Sequence, residues 1–302
     1  IQNTNPLVVA PESLLVREGF YREDLFVCVH EQFMTETAKY ADIVLPATTF
    51  VEHDDLYIAG GHQHIIFGPK LIEPIGESRS NHKVLLELSK RLGAEHKGFN
   101  MTEREIIDVT LKSSNHGSLA DLEKNGWKDV QPDFNTSHFI NGFGHKDKKF
   151  HFKPDWSEVG PDYHNMPEYP DYMNTTENTS KDFPFKLVTA PAHNYLNSSF
   201  TETSSSQKSE VKPKAKIHSN DIKKLGLQED DLVVLGNNRG KVIINVEEFD
   251  GMQEGVIIVE GIWPNEAFVG KNGINTLVGS DPVPPNGGAA FHDTAVWIKS
   301  HS

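Results

Sequence analysis

Two hydrophobic periods divide this chain, and a single kind of sheet does not accommodate both. Near the start, apolar residues come as solid runs, Leu25, Phe26, Val27, Cys28 and Val29, then Ile43, Val44 and Leu45. Solid runs joined by helical crossovers predict parallel strands covered on both faces. The helices expected there are a short one at 13–18 stopped by Gly19, and one capped by Thr35 that runs to Tyr40. From Phe185 onward the period shortens. Strands are expected at 187–189, 232–235, 241–246, 256–259 and 294–298, with Gly236, Asn237, Asn238, Arg239 and Gly240 as a hairpin turn. One helix at 221–226 interrupts them, and the pattern predicts a compact barrel.

Between these halves, Asn81 is expected to cap a helix whose Val84, Leu85, Leu88 and Leu92 share a face, closed by Gly93. Thr102 and Glu105 form a capping-box pattern, and Ser118 to Gly126 reads as another helix. Residues 129–184 are rich in aromatic, His, Asn and Pro residues, a long covering connection whose rings call for burial. The Ser- and Lys-rich stretch 204–216 reads first as a mobile loop. The domain division is therefore 1–128 as a partial α/β domain, 129–184 as connection and 185–302 as barrel. With 302 residues the chain is long enough for two average domains.

Composition narrows the functional classes. A net charge of −14 argues against nucleic acid or an anionic membrane as main partner, and no apolar run is long enough for a membrane span. The single cysteine, Cys28, permits no internal disulfide and no cysteine-rich zinc or iron–sulfur site. Fifteen histidines include His62 and His64 two apart, with His53, Asp54 and Asp55 upstream, yet no helical zinc spacing appears, so no protein-ligated metal is expected. Hydrolase-elbow, P-loop and Rossmann glycine signatures are absent from the sequence.

What remains are neutral polar clusters at expected strand ends. They are Asn3 and Asn5; His30, Glu31 and Gln32 with Thr35 and Thr37; Thr189 to Asn194 with Asn197 and Ser198; and Asn272 to Leu277. Any one Asn is explained as a turn residue. Four clusters across two domains suit a ligand with both donor and acceptor edges, such as a fused polar heterocycle. A helix N-terminus near Thr35 would hold a phosphate without a cation. Asn3, Asn5 and Pro6 also place turn chemistry at the very start, so a preceding strand is expected outside these residues. A fragment, a cleaved product or a split gene would each produce that.

The segment order resembles the molybdopterin oxidoreductase (dimethyl sulfoxide reductase) family. Carrying the resemblance are Asn3, Asn5 and Pro6, the string T-E-T-A-x-Y-A-D-I-V-L-P at 35–46, Gly76, Glu77, Ser78 and Arg79, and Arg91, Leu92 and Gly93. In the second half, Leu187 to Ser198, Asp221 to Gly240, Gly261-Ile262-Trp263, Asn275-Thr276-Leu277 and Phe291 to Thr294 fit the family's dinucleotide-binding barrel. The resemblance implies an incomplete parallel, Rossmann-like α/β domain followed by a double-psi-type β-barrel.

It also implies a bis(molybdopterin guanine dinucleotide) cofactor holding molybdenum or tungsten, used for oxygen-atom or proton–electron transfer. Carried over as cofactor contacts are Asn3, Asn5, Pro6, His30, Glu31, Gln32, Phe33, Thr35 and Thr37. From the barrel come Thr189, Pro191, His193, Asn194, Asn197, Ser198, Asn275 and His292. Asp42 and Arg239 match family motifs, but strand-tying and turn formation account for them. The family's iron–sulfur segment and its metal-ligating residue belong to an N-terminal half that this sequence lacks, so that half is the expected partner, with a small-molecule redox substrate. The catalytic residues are therefore not in view. Two alternatives keep the architecture: a structural or electron-transfer subunit that has lost the pterin, and a free-standing pterin-dinucleotide-binding module. The compartment expectation favours cytoplasm over periplasm, unless an export signal lies upstream of Ile1.

Overall fold

In the computed structural model, residues 1–159 and 163–301 are described. In chain order the helices are α1 (Pro6–Val9), α2 (Ser13–Phe20), α3 (Glu36–Lys39), α4 (Asn81–Leu92), α5 (Glu103–Ser113), α6 (Leu119–Asn125), α7 (Phe134–Ser137), α8 (Ser204–Glu210) and α9 (Ser219–Leu225). The strands are β1 (Cys28–Glu31), β2 (Ile43–Pro46), β3 (Asp55–Ala59), β4 (His62–Gly68), β5 (Trp127–Asp129), β6 (Phe185–Val188), β7 (Lys214–Ile217), β8 (Leu232–Gly236), β9 (Lys241–Glu248), β10 (Val256–Val259), β11 (Pro282–Val283), β12 (Gly288–Ala289) and β13 (His292–Ser300). Two compact units emerge. One comprises Ile1–Val29, Phe33–Ile43 and Phe152–Ser302, the other His30–Gln32 and Val44–His151. No helix among the described residues is long and apolar enough to cross a membrane.

The first unit holds the expected barrel, closed in the order β10-β6-β13-β8-β9-β7. β6 pairs parallel with β10, and β7 with β9, while the other neighbours are antiparallel. Period-two alternation builds it: β9 turns Val242, Ile244 and Val246 inward, all buried, and leaves the intervening Ile243, Asn245 and Glu247 half-buried. Leu187, Ile217, Leu235, Ile257 and Val296 meet these in one core. The barrel's β7 and α8 replace the loop expected at 204–216. Ala215 and Ile217 are fully buried, but the lysines alternating with them hide the strand in a four-residue window.

The α/β start is divided between the two units, and here the sequence overstates burial. β1 begins at Cys28, leaving Leu25 exposed and Phe26 69 % exposed, and Ile43 and Val44 of β2 are exposed too. β1 and β2 make a sheet of only two strands, too few to cover both faces of an apolar run. The Asp42 carboxylate accepts from Val27 N–H at 2.7 Å, the strand-tying role expected of it. α2 continues past Gly19 to Phe20.

The second unit packs the antiparallel sheet β3-β4-β5 with α5 and α6 around Ile65, Phe67, Ile107, Leu111, Leu119 and Leu122. The expected capping box forms at Thr102 with Glu105, and the structure adds a second at Ser118 with Asp121. For α4, Ser80 is the N-cap in place of Asn81, its hydroxyl accepting from Lys83 N–H, and Gly93 closes the helix at φ 65°. Its leucine face is uncovered: Leu85, Leu88 and Leu92 are exposed, the last at 80 %. The connection departs from expectation likewise. Phe134, Phe139, Phe150, Phe152 and Tyr172 are exposed, and rings such as Phe139 and Phe143, 4.7 Å apart, stack on each other.

Candidate functional site

β6 and β10 run parallel, so the loops after Val188 and Val259 leave the barrel at the same end. β13 begins there as well, since His292 pairs with Val188 in the antiparallel register. These three segments wall a cleft of about 440 Å³ within the first unit. Thr189 Oγ1 donates to the Phe291 carbonyl at 2.8 Å, and Gly261 N–H to the Ala190 carbonyl at 2.8 Å, which pins the loops together. Gly261 has φ 84°, and a Cβ there would stand 2.9 Å from that of Ala192, so glycine lets the loops approach.

Asn275 closes the floor. It lies in a 3-10 turn (Ile274–Thr276), 2 % exposed, its Nδ2 donating to the Val8 carbonyl at 2.8 Å. Asn197 holds a left-handed φ of 51° in the tight loop where Leu196 bridges Ser199. Tyr195 packs edge-on against Trp263 with centroids 4.9 Å apart, and burial pushes its phenol above the usual tyrosine range, so it stays protonated. Amides, a hydroxyl, an imidazole and aromatic faces therefore converge, without any carboxylate or cation on the lining.

A second cleft of about 260 Å³, also within the first unit, is lined by the chain neighbours Val8, Ser198 and Pro264 of that wall. It contains Asn5 and Thr35. Asn5 Oδ1 accepts from Thr37 N–H at 3.2 Å and Thr37 Oγ1 at 2.7 Å, which leaves the amide nitrogen as the Asn5 donor for the cleft. Thr37 is fully buried and acts through Asn5. Charged groups are here: Glu36, Lys39, Glu202 and Glu266. The Glu36 oxygens accept from Asn265 N and Nδ2, each at 2.6 Å. Thr35 does cap α3, accepting from Ala38 N–H, but that helix is one turn with Glu36 in it, so the expected phosphate seat is not built there.

Thr189, Pro191, Asn197, Asn275 and His292 line the larger cleft, and Asn5, Thr35 and Ser198 the smaller. The others line neither. Asn194 gives N–H and Nδ2 to Glu210, at 2.6 and 2.9 Å, as a loop clamp, and His193 is exposed. Pro6 opens α1 and Asn3 turns the chain at φ 53°. His30, Glu31 and Gln32 belong to the second unit, where His30 Nε2 meets the Arg79 carbonyl at 3.0 Å and Gln32 Nε2 donates to that of Thr48; Phe33 is exposed. Gly261, Tyr195 and Glu36 stand in the family motifs but were not among the expected cofactor contacts, and Glu202 and Glu266 carried no sequence signal for either cleft. Gly261-Ile262 follows β10 as Thr189-Ala190 follows β6, a symmetry visible only once the parallel pairing is known. Among the described residues no three His, Cys, Asp or Glu groups gather as metal ligands.

Comparison with known proteins adds to this geometry. A family model described as molybdopterin oxidoreductase matches residues 1–91, and one described as molydopterin dinucleotide binding domain matches 185–295. A Bacillus subtilis protein named probable oxidoreductase YoaE is 33 % identical over 312 residues, covering 99 % of this chain and 43 % of that protein. Trimethylamine-N-oxide reductase of Haemophilus influenzae is 26 % identical over 299 residues, covering 89 % and 36 %. Among solved structures, acetylene hydratase from Pelobacter acetylenicus has the same fold, with a TM-score of 0.79 at 19 % identity, over 99 % of this chain and 43 % of that one. The chain spans about two fifths of the length of these proteins.

Proposed function

This chain belongs to the molybdopterin oxidoreductase (dimethyl sulfoxide reductase) family, an enzymatic family, and on that premise we propose that it is the cofactor-gripping C-terminal part of a molybdenum or tungsten bis(molybdopterin guanine dinucleotide) oxidoreductase. The observation that supports this reading is the larger cleft. Five residues chosen from sequence, Thr189, Pro191, Asn197, Asn275 and His292, line one cavity at one end of the barrel. A guanine-bearing dinucleotide fits such a lining. Amide and imidazole groups offer donors and acceptors to its edges, and Tyr195 and Phe291 offer apolar surface to its ring faces.

When bound, such a cofactor supplies the redox chemistry through its metal. This chain's residues bind and orient it. Asn275, locked to Val8, fixes one hydrogen-bonding direction, and Asn197 and His292 present groups from the opposite loops. Iron–sulfur chemistry, the metal's protein ligand and the pocket for a small-molecule substrate are assigned to polypeptide outside these residues.

The test is cofactor content of the full-length enzyme that carries this chain, read by oxidised-pterin fluorescence and by molybdenum and tungsten analysis. Asn197→Gly keeps the left-handed backbone and removes the amide, while His292→Ala removes an exposed ring. Each is expected to lower pterin retained after gel filtration about tenfold, the worth of one hydrogen bond of about 1.4 kcal/mol. Folded wild-type enzyme free of pterin and of both metals would overturn the reading and favour the pterin-less subunit.

A further inference from the structure

Arg239 does more than form a turn. Its N–H donates to Asn237 Oδ1 at 2.9 Å, as a hairpin asks, but its guanidinium leaves the hairpin altogether. Nη1 donates to the Leu277 carbonyl at 2.9 Å, Nη2 pairs with Glu177, and Nε stands 3.7 Å from Glu12 Oε1. Asn237 Nδ2 donates to the same Leu277 carbonyl at 2.8 Å. That carbonyl ends the 3-10 turn bearing Asn275, so the turn is fastened at its C-terminal side by two donors.

Glu177 fastens the opposite wall. Its second oxygen accepts from Ala295 N–H at 2.8 Å, just past the bulge where the β13–β6 register shifts between His292 and Thr294 and Asp293 takes φ 60°. Lys186 reaches over the bulge to the carbonyls of Glu177 and Asp293. The bulge sets where His292 stands, and His292 lines both the large cleft and a pocket of about 50 Å³ shared with Glu177 and Arg239. Gly279 makes room for the guanidinium: a Cβ there would lie 2.7 Å from Nη2.

We infer that the Arg239–Glu177 ion pair is a positioning brace that holds the Asn275 turn and the His292 bulge at a fixed separation, and through them sets cofactor retention without touching the cofactor. A charge-assisted pair, only about a quarter to a third exposed, is stiff enough for this, and a lysine in place of arginine carries its three donors on one nitrogen and lacks the planar fork whose separate nitrogens reach Leu277 and Glu177. The claim about the cofactor rests on the function proposed above; the brace itself does not.

Two measurements on the full-length enzyme separate them. Fragment-resolved hydrogen exchange is compared for wild type, Glu177→Gln and Arg239→Lys over residues 275–279 and 293–296. Exchange is expected to rise at least tenfold in both segments in each variant, although Glu177 touches the 275–279 segment only through Arg239. Pterin retained after gel filtration is expected to fall with it. Exchange that rises in 293–296 alone for Glu177→Gln overturns the brace, and faster exchange in both segments with undiminished pterin overturns its hold on cofactor retention. If wild type holds no pterin, the proposed function fails and the exchange data alone decide the brace.

Discussion

Glu52 commits both carboxylate oxygens to its neighbours: one accepts from Thr49 N–H at 2.7 Å and Thr49 Oγ1 at 2.9 Å, the other from Ile75 N–H at 2.6 Å. These donors, the two backbone N–H groups first, hold its carboxyl below the usual glutamate value of 4.5. A depressed pKa stabilises the fold at pH values above 4.5 and is lost as pH falls through the folded-state value. Glu52→Gln is therefore expected to melt below wild type at neutral pH, with the gap in Tm closing as pH drops beneath about 4.5. A gap that stays constant down to acid pH would remove the carboxylate from the account. No composition or spacing rule singled out Glu52; its role depends on a loop twenty-three residues away. Asn5 and Asn275 were legible, since neutral amides at element ends are conspicuous in sequence. Whether each faced a cleft or a turn was not.

At the level of elements, the β8–β9 hairpin joins stability to the site. Gly240 has no room for a side chain: a Cβ would meet Thr276 Cγ2 at 2.5 Å and Leu14 Cδ1 at 3.1 Å. Thr276 is buried beside Asn275 and shares a 3.0 Å hydrogen bond with Ser13 Oγ. Gly240→Ala is expected to cost about 1–3 kcal/mol in urea unfolding, the range for overpacking a filled site. It should also displace the Asn275 turn, so pterin retention falls as well. Unchanged unfolding would mean that the turn yields freely. The hairpin, the Thr102 capping box, the helix start at Ser118 and the Gly93 and Gly226 helix ends could all be read from sequence because each is decided within four or five residues. Burial was read rightly at Val27 and Val29 but overstated at Leu25, Phe26, Ile43 and Val44, because apolar density reports what a strand can bury, whereas neighbouring strands decide what it does bury.

Across the whole molecule the two units differ in how much core they own. Among the described residues, twenty buried side chains form the barrel cluster, against six around β4, α5 and α6. Local opening tracks buried contact, so amides of β8 and β9 are expected to exchange more slowly than those of α5 and α6 in native-state hydrogen exchange. Equal protection would show that the smaller core is not the weaker one. By itself the sequence determined the barrel's alternation, its turns and caps, and a neutral polar inventory with a family-specific string, because period, capping and motif are local. Only the tertiary structure decided which polar residues share a cavity, that Thr37 supports Asn5 and Asn194 serves a loop, and that Arg239 reaches from a hairpin to Leu277 and Glu177. Those outcomes turn on the parallel pairing of β6 with β10 and on contacts between residues dozens to hundreds of positions apart, and side-chain chemistry alone does not encode which distant partner is met.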